Sequence, residues 1–106
     1  ALNGGDTLCL CGALSMGRDT LVDATLQQIG DFREQTLVWL QEVFTLAAQD
    51  GSIRGVCDPS AEAAATLALA EGAQVSARSE QNMQRFDLAT VLIRQRIRSE
   101  APAAAI

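Results

Sequence analysis

Apolar positions along this chain recur at intervals of three and four, the period of a helix face, and nowhere alternate as a half-buried strand would. From Val22 they fall at Leu26, Ile29, Phe32, Thr36, Leu40, Val43 and Ala47, with Leu37, Trp39 and Phe44 in a flanking row. That spacing predicts one long helix reaching about Gln49 and ending at Asp50-Gly51. Asp58-Pro59 then places an acceptor side chain before a residue suited to a first turn, so a second helix is expected over 60–79. Small residues at Ala61, Ala65, Ala68, Gly72 and Ser76 form a row along it, while Leu67, Leu69 and Val75 occupy other sides. Such a helix is expected to bury more than one face, one on its own core and one on a partner. After a turn at 80–82, residues 83–98 carry Phe86, Ala89, Thr90, Ile93 and Ile97 on one side, with Leu88, Val91 and Leu92 around it. Arg94, Arg96 and Arg98 near its end complement the helix dipole.

A shorter helix is expected over 8–16, behind a glycine-rich start and capped by Asp6 or Thr7. Gly17 marks its stop, with Asp19 or Thr20 capping the long helix that follows. Gly12 inside the short helix points to a close helix contact, Gly30 permits a bend without a break, and the tail 101–106 is expected to fray. The pattern as a whole predicts an all-α fold: a single antiparallel bundle of about four helices over 1–106 that dimerises through its last two.

Composition agrees. Of 106 residues 48% are hydrophobic, and many are alanine, which lets helices approach without losing side-chain entropy. No apolar run approaches the roughly 20 residues that span a bilayer, so no membrane partner is expected. The chain opens on Ala1 with no basic start or apolar centre of a secretion signal, the expectation being a trimmed fragment of a cytoplasmic protein. Formal charge is −5, from 13 acids against 8 arginines, and the resulting field opposes a phosphate backbone. Seven of the acids lie in residues 1–50 beside only Arg18 and Arg33, so the long helix carries the acidic face.

Candidate chemistry is sparse. The chain has no histidine, its serines stand beside no lysine or nucleophile-elbow pattern, and Asp19/Asp23 and Asp31/Glu34 have the spacing of a solvated helix face. No catalytic residue is expected and the chain is not read as an enzyme. Gly51-Ser52-Ile53-Arg54-Gly55 lacks the lysine of a phosphate-binding loop. Cys9, Cys11 and Cys57 do not reproduce a four-ligand spacing, so buried thiols in a reducing compartment are expected, with neither metal nor cofactor. Phe32 and Trp39, with Leu14 and Met16 ahead of them, are either ordinary core or the lining of a cavity for an apolar ligand. Glu71, set among Leu67, Ala68, Leu69, Ala70 and Ala73, must reach solvent, pair with Arg78 or another donor, or face a polar ligand group. Pairing or exposure is the expectation.

The order of Cys9-Leu10-Cys11-Gly12, the long helix with Phe32 and Trp39-Leu40, the loop from Asp50-Gly51 to Asp58-Pro59, Glu71-Gly72-Ala73, Ala77-Arg78, Phe86 and a final Leu- and Ile-rich helix resembles the C-terminal regulatory domain of TetR/AcrR-type transcriptional repressors over residues 8–98. The resemblance implies a ligand-sensing homodimer whose last two helices form a four-helix interface, here through Ala65, Ala68, Gly72 and Ser76 and through Ile93 and Ile97. It further implies a small-molecule effector near Leu14, Met16, Phe32, Trp39 and Glu71. Operator DNA would be contacted only through an N-terminal helix-turn-helix domain absent from this sequence. A structural homodimerisation module with no ligand is the alternative.

Overall fold

The computed structural model describes Gly17, Asp19 and residues 21–98. The helix expected over 8–16, with Leu14 and Met16, lies outside the described residues, as do the Thr20 cap and the tail. Three α-helices follow in order: α1 (Asp23–Asp50), α2 (Pro59–Glu80) and α3 (Gln84–Arg96). No strand occurs among the described residues, so the all-helical expectation holds for them, with three helices.

Helix ends follow local chemistry. α1 does not take the expected Asp19 cap. Its N-cap is Val22, in extended conformation with no side-chain hydrogen bond, and the first-turn Asp23 supplies the negative charge that suits a helix N-terminus. The helix runs unbroken through Gly30 and stops at Gly51, whose φ of 75° is left-handed and whose N–H donates to the Ala47 carbonyl at 2.9 Å. α2 begins as the sequence predicts: the Asp58 carboxylate accepts from the Ala61 N–H at 3.2 Å, and Pro59 takes the first helical position. α2 ends on Gln81 at φ 50°, where the Asn82 N–H reaches back to the Ala77 carbonyl at 3.0 Å. The Asn82 side chain then accepts from the Gln84 N–H at 3.0 Å and starts α3. α3 ends at Arg96 instead of Arg98 because the chain beyond it leaves the helix to pair with the α1–α2 loop, Ile97 bridging Ile53 in antiparallel fashion.

α2 is the middle helix, packed on α1 and on α3. The buried core among the described residues consists of Ile29, Phe44 and Ala47 of α1 and Ala63, Ala73 and Ala77 of α2, with Thr90 of α3. Alanines dominate because a helix flanked on two sides must admit both neighbours closely. The α1 face the sequence predicts is buried or half-buried at Leu26, Ile29, Thr36, Leu40, Val43 and Ala47, and departs from the expectation at its aromatics. Phe44, expected in the flanking row, is 3% exposed, whereas Phe32 and Trp39 are 55% and 60% exposed. Phe32 and Phe44 lie twelve residues apart and hence about 120° apart round the helix, so a single contact strip cannot hold both.

Candidate association surface

α2 carries two rows of small residues on opposite sides. The inner row, Ala63, Thr66, Ala70, Ala73 and Ala77, is buried or half-buried and is where the neighbouring helices come close. The outer row is the one the sequence singles out: Ala61, Ala65, Ala68, Gly72 and Ser76 are all exposed. A Cβ built on Gly72 meets nothing within 4 Å, so packing inside the subunit does not require a glycine there. Val75 beside this row is 38% exposed.

α3 adds apolar surface of its own. Leu88 and Leu92, one turn apart, are 65% and 72% exposed, across the helix from half-buried Phe86 and Ile93 and buried Thr90. The two leucines are what the sequence reading underweighted, since it drew the apolar side of this helix through Phe86, Ile93 and Ile97. Within 84–96, Leu88 and Leu92 form a separate four-residue pair well away from the Phe86–Thr90–Ile93 line, and that offset is the signal for a second face. Of the expected interface isoleucines, Ile93 is half-buried and Ile97 is occupied through its backbone by the Ile53 bridge while its surface remains half open.

Two ion pairs set the relative positions of the helices. Arg33 of α1 donates from Nη1 to Oε2 of Glu71 on α2, so Glu71 finds its donor on the neighbouring helix instead of at Arg78. Arg96 of α3 holds Glu62 of α2 with both Nη groups, at 3.1 Å for Nη1 to Oε1, and donates from Nε to the Arg54 carbonyl at 2.9 Å. The hydrogen bonds from Arg96 lower the Glu62 pKa from its ordinary value, and the same contact raises that of Arg96. Backbone bonds finish the clasp: the Arg54 N–H donates to the Arg96 carbonyl at 2.8 Å and the Arg98 N–H to the Ser52 carbonyl at 2.7 Å. Asp50, whose carboxylate accepts from the Ser52 N–H at 2.8 Å, has its pKa lowered by hydrogen bonding to Ser52.

The residues expected to line a ligand cavity are not brought together around one. Leu14 and Met16 lie outside the described residues, Phe32 and Trp39 face solvent, and Glu71 is engaged by Arg33. A separate open depression of about 530 Å³ is lined by Val38, Gln41, Glu42, Thr45 and Leu46, all on α1. Among the described residues no three Cys, Asp or Glu side chains converge as a metal site, and no helix is long and apolar enough to cross a membrane. No family model matches the chain, and no curated protein or solved structure matches it.

Proposed function

We infer that this chain is the dimerisation and effector-sensing domain of a TetR-like cytoplasmic transcriptional repressor, joining a second copy through the outer faces of α2 and α3. Operator contact would be made by a helix-turn-helix domain outside these 106 residues. One observation carries the association half of this reading. The inner row of small residues on α2 already receives neighbouring helices, and the outer row of the same kind stands exposed, as do Leu88 and Leu92 on α3. A row of small side chains lets a second helix approach closely, and exposed leucines supply apolar area of the kind that drives association. The proposed contact takes in Ala65, Ala68, Gly72 and Ser76 of α2 together with Leu88, Leu92 and Ile93 of α3 and Ile97 beyond it.

Gly72→Leu is a clean test, because the open space around Gly72 admits the side chain within one subunit while a docked partner would not. Sedimentation equilibrium at micromolar concentration is expected to find a dimer for the parent chain and a monomer of unchanged helix content for the variant. A parent chain that sediments as a monomer, or a variant dimer of undiminished affinity, would sink the assignment.

The effector half rests on the apolar surface at Phe32 and Trp39. An apolar compound that binds there is expected to shift the emission of Trp39, the single tryptophan. The second reading, a homodimerisation module with no ligand, is favoured by the open placement of both aromatics. Titration with a panel of apolar compounds separates the two: saturable shifts support the sensor, and none across the panel supports the module.

A further inference from the structure

The outer flank of α1 is apolar and acidic at once. Val38, Trp39 and Leu46 stand exposed there, and Glu42 lies among them at four, three and four residues' distance, the spacing of neighbours on a helix surface. The charged residues of α1 are the acids Asp23, Asp31, Glu34, Glu42 and Asp50 and one base, Arg33, which is held by Glu71. Among the described residues no ion pair reaches Glu42.

The open depression of about 530 Å³, with Glu42 in its lining, lies on this same stretch, and its volume falls within the roughly 300–1,000 Å³ of small-molecule sites. Its polar lining offers acceptors. Glu42 brings a carboxylate, and the Thr45 hydroxyl donates its proton to the Gln41 carbonyl at 2.7 Å, so toward a ligand it can only accept.

These features select the charge of an occupant. An anion would meet the acidic field of α1, and a wholly apolar compound would strip water from the Glu42 carboxylate with nothing in exchange. A metal ion lacks ligands, since no three Cys, Asp or Glu side chains converge among the described residues. An organic cation with an apolar body suits both halves. The carboxylate takes the charge, Val38 and Leu46 take the body, and the indole of Trp39, three residues from Glu42, attracts a cation through its face.

We propose that the effector bound on this flank is an amphipathic organic cation, a quaternary or protonated amine carried on an aryl or alkyl group, with Glu42 as its counter-charge. The inference rests on the effector-sensing reading above and adds the charge of the ligand and the residue that reads it.

The test is fluorescence titration of Trp39 with phenylbutyltrimethylammonium and with its neutral isostere, in which carbon replaces the ammonium nitrogen. The cation is expected to bind several-fold more tightly at about 0.01 M salt, and the preference to shrink by about 0.15 M as screening sets in. Glu42→Gln is expected to bring the two affinities together. Asp87→Asn, which makes the same change in net charge on α3, is expected to keep the preference. Equal binding of both probes by the parent chain would overturn the inference while leaving an apolar effector site in place. A preference that survives Glu42→Gln would overturn it too, by placing the recognised charge elsewhere. So would a Trp39 emission that shifts with protein concentration alone, which would assign the flank to a second copy. Absence of a shift with either probe would overturn it as well, and only the panel of apolar compounds, if equally silent, removes the effector reading itself.

Discussion

Thr66 is half-buried on the inner face of α2, and its hydroxyl is the one buried side-chain oxygen without a hydrogen-bond partner among the described residues. Thr36, Thr45 and Thr90 each return their hydroxyl to the carbonyl four residues earlier. A buried hydroxyl with no partner costs desolvation that nothing offsets. Thr66→Val keeps the shape and removes the polar atom, so it is expected to stabilise the fold by about 1 kcal/mol, read as a higher denaturant midpoint with an unchanged slope. Gln81 presents the opposite case, a side chain in a place that suits none. It holds a left-handed φ of 50° at the end of α2, a conformation that crowds Cβ against the following carbonyl. Gln81→Gly is expected to gain up to about 1 kcal/mol in the same measurement. A loss instead would mean that the Gln81 side chain contributes more than its backbone conformation costs.

At the scale of elements, the end of α3 is fastened to α2 and to the α1–α2 loop by Arg96, through Glu62 and the Arg54 carbonyl. Glu62 has a folded-state pKa below its ordinary 4.5. Its contribution is therefore fully present above that value and is lost as pH falls through the lowered one. Acidification is expected to destabilise the parent chain more steeply than Glu62→Gln, whose curve should lack that part of the acid limb while starting lower at neutral pH. Parallel curves would remove Glu62 from the account. Much of this level was legible in the sequence. Asp58-Pro59 and Asp50-Gly51 marked helix ends because their chemistry is local, and the three-and-four spacing gave the helices. The exposure of Phe32 and Trp39 was not legible, nor was the pairing of Glu71 with Arg33, 38 residues away, because both follow from how the helices meet. The position of the α3 end was hidden for the same reason: the Ile53–Ile97 bridge joins two distant segments. The row of small residues on α2 was legible as a pattern, but its exposure follows only from where α1 and α3 come to rest.

The described part of the molecule is flat and long, 53 × 30 × 19 Å with a radius of gyration of 15.9 Å, against about 13 Å for a compact domain of about 100 residues. Two helix layers need roughly 20 Å or more, so three helices side by side leave much of each one uncovered. Among the described residues no large side chain is fully buried, which is the energetic counterpart of that shape. Such a layer gains stability by stacking on something else, and the charge distribution says how a second copy would respond to salt. Each copy brings a net charge of −5, yet residues 51–106 hold six acids and six arginines, so the excess sits in the half of the chain containing α1. Repulsion between copies joined at α2 and α3 is therefore long-range and easily screened, while apolar contact at Ala68, Gly72, Leu88 and Leu92 is not weakened by added salt. The dimer is expected to tighten between about 0.01 and 0.15 M salt, as the Debye length falls from about 30 to 8 Å, and to change little beyond. An interface held by ion pairs would respond in the opposite sense, so sedimentation at two ionic strengths decides which force joins the copies.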